Sequence, residues 1–389
     1  MKILQLHCLY TSSKISGENI YVERLRDLLA DVAHVDNIVF STQELTSDTA
    51  SKGKAMHVGA SFLFGSNRMV IKRAAEYDLI ILHNQIPYIS ARTIEELLSI
   101  KPVLRVWHNV RNLCIEGGFF RDGANCFKCR DGLLGRSAGI IHRCYRGNMA
   151  QSLLVTQNQR KNYKLFDHEN YFHVAISDYI LDQMNFLGIP KKQILKIPNF
   201  SENSNLALSQ GTDFIYVGRL ENQKGWRELL AAWGNVPANL RKNKNLHIVG
   251  EGFGKETDLS EFNESDLSGV IFHGRLDHFE IFNLMRKCRT QIIPSQWEEP
   301  FGTVAIEGMS LGLRLIVTPS GGLGEFSRCP GVLVTRNKSV QAISDSILID
   351  IQNNRDFSAE IRDYWAKNFS SQIVKKIWIE QLSKLILNY

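Results

Sequence analysis

The sequence predicts an α/β protein built from two domains, each a parallel sheet with helices on both of its faces. Three observations carry this. Short apolar runs recur along the chain, helical patterns lie between them, and the alternation stops near residue 200 and then starts again. At 389 residues the chain is long enough for two buried cores.

The first half opens on a buried-strand pattern at 3–7 (ILQLH), followed by a loop and a helix over about 19–30. Apolar runs at Leu79–Leu82 and 102–107 read as further strands buried on both faces, and 94–98 reads as helix between them. Residues 201–212 are polar and rich in Ser and Asn, which suits a linker. The strand pattern then returns at 214–217, Leu246–Val249, 270–272, 290–293 and 315–317. The last thirty residues read as wholly helical, with Ile373, Ile377 and Leu382 at helical spacing. The resulting division is a domain over 1–200 with a cysteine-bearing insertion at about 110–147, a second domain over 201–370, and a helix over 371–389 packing back on the first. Two such domains leave a cleft facing the carboxyl ends of both sheets, where parallel sheets bind ligands.

Composition narrows the function class. Hydrophobic residues make up 44% and charged residues 22%, as in an ordinary globular protein. No stretch of eighteen or more apolar residues occurs, and residues 1–6 lack the apolar core of a signal peptide. Seven cysteines, an odd number, add to this and predict a reducing, cytoplasmic setting. Residues 1–200 hold 25 Lys and Arg against 18 Asp and Glu, net +7, while 201–389 hold 21 against 22, net −1. A basic half fits either a phosphate-bearing or membrane-surface partner or a plain solvated surface. No basic run is interleaved with aromatics and no reader motif is present, so nucleic acid is not an expected partner.

The chemistry is carried by loops that follow strands. In 299–307 (EPFGTVAIE), Pro300 keeps Glu299 out of a helix and Gly302 lets backbone approach a ligand. A helix starting near Thr303 sets Glu307 more than a turn further in. Two carboxylates at different depths can hold two sets of sugar hydroxyls, and the helix N-terminus between them favours a phosphate. In 216–225 (YVGRLENQKG), Gly218, Arg219, Lys224 and Gly225 follow a strand and form a diphosphate clamp. Gly250, the His273-Gly274-Arg275 segment and the glycine-rich loop 319–325 (PSGGLGE) also end strands.

In this order the motifs resemble retaining glycosyltransferases of the GT-B fold, glycosyltransferase family 4. The E-x7-E signature matches Glu299 and Glu307, G-R-L-x-x-x-K-G matches Gly218 to Gly225, and Gly-Gly-x-x-E matches Gly321 to Glu325. In the first half Gly17-Glu18, His108 after a strand, Ser177 and Pro198-Asn199 also fit, although the first loop reads Ser16-Gly17 where many members have two glycines. The resemblance implies two Rossmann-like domains and a nucleotide-diphosphate sugar as donor. It implies diphosphate binding by Arg219 and Lys224 and ribose binding by Glu307. Glu299 and His108 would bind the donor sugar from the two domains. Gly17 would let the first loop approach the phosphate, with backbone N–H groups of Gly321, Gly322 and Leu323 reaching the anion. Phe301, Gly302 and Thr303 would complete the donor loop, with His273, Gly274 and Arg275 beside the base. Catalysis would stabilise charge developing on the departing phosphate. The chain contains no Asp-x-Asp, so Arg219, Lys224 and a helix terminus, without a catalytic metal, supply the positive potential.

Cys114, Cys126, Cys129 and Cys144 have spacing that fits a structural zinc site, unliganded thiols or disulfides. The text around them resembles an insertion of bacterial polysaccharide-assembly members of the family, which places Tyr145 and Arg146 at the acceptor side. The implied acceptor is a lipid-linked saccharide at the inner membrane face, in O-antigen, capsule or exopolysaccharide synthesis. Phe62, Leu63 and Phe64, followed by Arg68, Lys72 and Arg73, offer a peripheral membrane contact or an ordinary amphipathic helix. A nicotinamide-dependent oxidoreductase is excluded by the first turn, which lacks G-x-G-x-x-G. A catalytically idle binding protein of this fold, and a synthase acting on a small soluble acceptor, remain as alternatives.

Overall fold

The computed structural model describes residues 1–9, 17–41, 65–132, 135–202, 207–209, 211–252 and 258–386. The chain divides into two compact units. The first comprises Met1–Phe119, Cys126–Pro198 and Lys375–Tyr389, and the second Phe120–Asn125 with Asn199–Val374. Phe62, Leu63 and Phe64 lie outside the described residues.

In the first unit the strands are β1 (Lys2–Leu9), β2 (His34–Ser41), β3 (Leu79–Leu82) and β4 (Val103–Trp107). The chain then forms a small hairpin that belongs to the second unit, β5 (Phe120–Arg121) and β6 (Ala124–Asn125), before the first unit resumes with β7 (Tyr171–Ala175) and β8 (Ile194–Lys196). The six strands other than the hairpin form one sheet in the order β2-β1-β3-β4-β7-β8, with parallel neighbours throughout. Alternation in β1 sets Leu4, Leu6 and Cys8 on one face and Ile3, Gln5 and His7 on the other, and all six are buried. That second face is where a polar network begins.

The second unit repeats the plan with β9 (Asp213–Val217), β10 (Leu246–Val249), β11 (Val270–Gly274), β12 (Cys288–Ile293), β13 (Arg314–Val317) and β14 (Val332–Val334). Its order is β11-β10-β9-β12-β13-β14, again all parallel. The helix Trp226–Asn235 sets Trp226, Leu229, Leu230 and Trp233 on one stripe, which packs on Phe214, Tyr216 and Ile248 of the sheet. In both units the strand order reverses about the first strand, between β1 and β3 and between β9 and β12. Ligands of open parallel sheets bind beyond the strand ends at such a point.

Two expectations about the end of the chain are corrected. The terminal segment is two helices, Ser358–Asn368 and Ser371–Ile386, parted at Phe369 and Ser370. The break lets the Phe369 ring pack edge-on against Phe301 and Phe326 at 5.7 and 5.6 Å. The last helix buries Val374, Trp378, Leu382 and Leu385 rather than the stripe through Ile373 and Ile377, so its core face lies one residue further along. Strands β2, β7, β8 and β14 were not foreseen, because polar residues interrupt or shorten their apolar runs.

Candidate active site

In the second unit the loops after β9 and β12 meet at the reversal point. The Lys224 ammonium lies 2.7 Å from Glu299 Oε1 and 4.8 Å from the centre of the Trp297 ring. The Ser295 hydroxyl donates to the same carboxylate oxygen at 2.7 Å. Burial pushes the Glu299 carboxyl up, but the Lys224 charge and the hydrogen bonds from Lys224 and Ser295 outweigh it and leave it below its ordinary value. Glu299 is thus an ionised carboxylate in a buried position. Arg219 lies nearby in sequence and is paired with Glu221 at 2.6 Å, with its side chain 42% exposed.

Two helices start at these loops, Trp226–Asn235 after Gly225 and Thr303–Ser310 after Gly302. Both glycines are left-handed, at φ +73° and +93°, and neither helix has a side-chain cap. A Cβ on Gly225 would stand 1.9 Å from the Pro294 carbonyl oxygen, and one on Gly302 would stand 2.4 Å from a Leu323 methyl. Glycine at these positions therefore allows close packing and leaves the first turns uncapped, an arrangement suited to an anion. Thr303 accepts a hydrogen bond from the Asn199 amide at 3.1 Å, and Glu307 stands 3.7 Å from His278.

The remaining expected donor residues divide. Gly218 and Gly250 tie the loop starts together, with Gly218 N–H donating to Val249 and Gly250 N–H donating to Gly274. His273 is half-buried and bonded through Nε2 to His247 Nδ1 at 2.9 Å, and His247 Nε2 donates to Asp213 at 3.2 Å. Arg275 is exposed beside it. Phe301 is corrected to a core side chain, since it is buried among Phe326 and Phe369. The loop amides are corrected as well. Gly321 N–H donates to Glu298 at 2.6 Å, Gly322 N–H to the Glu299 carbonyl at 2.8 Å, and Leu323 N–H to Ser320 at 3.1 Å. Their donors are engaged inside the unit, where Gly321 and Gly322 buttress the Glu299 loop and Leu323 closes a turn within its own loop. Glu298, which also holds Lys338 at 2.9 Å, escaped the sequence reading because its neighbour carries the motif.

In the first unit a pocket at the strand ends is lined by Glu18, His83, Asn84, Arg105, His108 and Asn109, among others. Gly17 opens the helix Gly17–Leu29, and a Cβ built on it would meet nothing within 4 Å among the described residues. Burial pushes the Glu18 carboxyl up to about 7, against the opposing pull of the Arg105 charge and an Asn109 hydrogen bond. Burial also brings His108 down to about 3, helped by His7, so the ring is neutral at ordinary pH. His108 Nε2 lies 2.9 Å from His83 Nδ1, and His83 Nε2 lies 2.7 Å from Gln5 Oε1. Gln5 and His83 were missed, yet His83 follows the run Leu79–Leu82 as His108 follows Val103–Trp107. A histidine directly after a buried strand was the available signal.

The four cysteines do not assemble as expected for zinc. All are free thiols, and among the described residues no group of three or more His, Cys, Asp and Glu side chains is placed to hold a metal ion. Burial pushes the Cys114 thiol up to about 12. Cys129 and Cys144 pack instead against an apolar cluster of Ile86, Ile115, Tyr145 and Val155. Tyr145, expected at the acceptor side, belongs to that cluster, while Arg146 is exposed.

Residues 199–370, which carry the Lys224–Glu299 pair, match the model of the family described as Glycosyl transferases group 1. It is this second-unit segment that is similar to a group 1 glycosyltransferase domain. Among its relatives, a 114-residue segment is 34% identical to glycogen synthase of Mycobacterium tuberculosis, covering 29% of this chain and 27% of the synthase. A 196-residue segment is 28% identical to lipopolysaccharide 1,2-N-acetylglucosaminetransferase of Salmonella typhimurium, covering 48% of this chain and 49% of that enzyme. The matched segments therefore span only about a quarter to a half of these relatives. The whole chain is similar in structure to HepE of Anabaena, solved with UDP and glucose, at TM-score 0.68 and 18% identity over 98% of this chain and 99% of HepE. The fold is GT-B. Among the described residues no helix is long and apolar enough to cross a membrane.

Proposed function

We propose that the chain transfers a sugar from a nucleotide-diphosphate sugar to a saccharide acceptor, with retention of configuration and without a catalytic metal. The observation that carries this is the buried Lys224–Glu299 pair set between two uncapped helix N-termini. In this reading the diphosphate lies against Lys224, Arg219 and the helix starting at Thr303. Glu299 accepts hydrogen bonds from hydroxyls of the sugar, and Glu307 from those of the ribose. His108 contacts the sugar. As the glycosidic bond breaks, negative charge grows on the leaving phosphate, and fixed cations and helix N–H groups stabilise it without reorganising. The leaving phosphate oxygen takes the proton of the acceptor hydroxyl on the same face.

The acceptor we propose is a lipid-linked saccharide of a cell-surface polysaccharide, met at the inner face of the membrane. Support comes from the net +7 of residues 1–200 and from the Salmonella relative, which acts on lipopolysaccharide. The glycogen synthase segment supports a second reading, transfer to a soluble glucan.

The test is a nucleotide-sugar screen by thermal shift, followed by transfer assays with and without EDTA. A donor at 100 times its dissociation constant should stabilise the protein by about 2.7 kcal/mol. No stabilisation by any nucleotide sugar would overturn the reading. Activity lost in EDTA and restored by magnesium would overturn metal independence.

A further inference from the structure

The first unit holds a chain of hydrogen bonds whose direction is fixed at its far end. The Glu23 carboxylate accepts from Asn37 Nδ2 at 3.2 Å, so Asn37 presents Oδ1 inward. Gln5 Nε2 donates to that Oδ1 at 2.9 Å and to the Val22 carbonyl at 3.1 Å. A carboxylate and a backbone carbonyl can only accept, so neither amide can be turned over without setting acceptor against acceptor. Gln5 must therefore show Oε1 to His83, and His83 must carry its hydrogen on Nε2. Burial keeps His83 neutral, which leaves its Nδ1 bare. His108 then donates from Nε2 to that nitrogen across 2.9 Å, and its own Nδ1 is left with a lone pair. The Tyr21 ring, edge-on to His108 at 5.0 Å and to His83 at 6.1 Å, braces both.

We propose that Gln5 and His83 are positioning residues that hold His108 as the Nε2–H tautomer, so that it can only accept a hydrogen bond from the bound sugar. The inference rests on the sugar-transfer reading above. Its consequence is a specificity rule. The sugar must offer a donor, a hydroxyl or an amide N–H, at the position His108 meets, and a carboxylate there is rejected. Glu18 lines the same pocket and adds to the penalty on a second carboxylate.

The decisive experiment is long-range nitrogen–proton NMR on the full chain with 15N-labelled histidine, read at pH 7. Wild type should show Nε2–H on both His83 and His108, and Nδ1–H on His108 would overturn the proposal. His83→Gln, whose side-chain oxygen still accepts, should keep the His108 tautomer, whereas His83→Phe should let both tautomers appear. A tautomer unmoved in His83→Phe would count against His83 as the cause. The wild-type spectrum needs no variant, so the question stands even where His83→Phe does not fold. In transfer assays a neutral nucleotide sugar should exceed its uronic-acid counterpart at least ten-fold in kcat/KM, and the ratio should shrink in His83→Phe while inhibition by the free nucleoside diphosphate holds. Equal use of both sugars by wild type would sink the specificity rule. Absence of transfer with every sugar would overturn the sugar-transfer reading and leave the tautomer result intact.

Discussion

The two units share a strand plan but equip their reversal points in opposite ways. Beyond β9 and β12 the second unit places a charged pair, Lys224 against Glu299, with helix N-termini on either side. Beyond β1 and β3 the first unit places neutral histidines tied to an amide, and a carboxyl at Glu18 that burial holds near half-protonation. Each unit also runs a histidine pair to a fixed acceptor, but the anchor is the Gln5 amide in one and the Asp213 carboxylate in the other. The lesson is one of division. In the proposed reading one unit offers a fixed charge to an anion, and the other meets the sugar through neutral histidines.

The sharpest way to break that comparison is to remove Lys224. Glu299 would stay buried without its partner, and stranding one charge of a buried pair costs about 3–5 kcal/mol. Lys224→Ala should lose stability on that scale in urea unfolding at neutral pH, with transfer reduced at least 100-fold. The pH dependence should also invert. In wild type Glu299 is depressed, so its contribution is present above the ordinary carboxyl value of 4.5 and is lost as pH falls through the folded value. Without Lys224, burial becomes the ruling influence and Glu299 should titrate above 4.5, so the variant should lose stability as pH rises. A variant as stable as wild type with an unchanged pH profile would show that the pair is not what holds Glu299 ionised.

The matching change in the first unit is Glu18→Gln. Glu18 is raised from 4.5 to about 7, so the folded chain keeps a proton that the unfolded chain releases between those values. Its protonated form favours folding fully below pH 4.5, and stability declines as pH rises through 7. The shift corresponds to roughly 3 kcal/mol at alkaline pH, each unit being 1.36 kcal/mol. Glu18→Gln should therefore stabilise the protein at pH 8 by up to that amount and have little effect at pH 4. Stability curves that run parallel across this range would remove Glu18 from the account.

The contrast also explains what the sequence made legible. The charged site could be read because its residues lie in short segments whose glycines and cations sit directly after apolar runs, as in 216–225 and 299–307. The double Rossmann-like fold was legible for the same reason, since Leu79–Leu82 is uninterrupted and Leu246–Val249 is broken only by His247. The neutral site was mostly hidden. Gln5 and His83 are separated by 78 positions and meet only because β1 and β3 are neighbours, a fact of topology rather than of local pattern. Phe301 misled for the opposite reason. It sits inside the motif, but its ring turns toward Phe326 and Phe369, and Phe369 lies 68 positions further along. The cysteine spacing left three readings open, because intervals along the chain do not show whether four sulfurs converge.

The smallest expected effect on stability separates binding charge from folding charge within the second unit. Arg219 pairs with Glu221 at 2.6 Å, but its side chain is 42% exposed, and an exposed pair contributes about 0.2–1 kcal/mol. Arg219→Ala should thus unfold within about 1 kcal/mol of wild type. In the proposed reading its guanidinium is nevertheless one of the two cations offered to the diphosphate, and a charge-assisted bond contributes roughly 1.5–3 kcal/mol, or about 10- to 150-fold. Binding of a free nucleoside diphosphate, measured by titration calorimetry, should weaken by that factor, and the loss should shrink as salt is raised because the site is screened. Lys224→Ala couples folding to binding, whereas Arg219→Ala should divide them. Weakened binding at near-native stability would place Arg219 in the anion site. Unchanged affinity would leave Lys224 and the two helix N-termini as the whole of it.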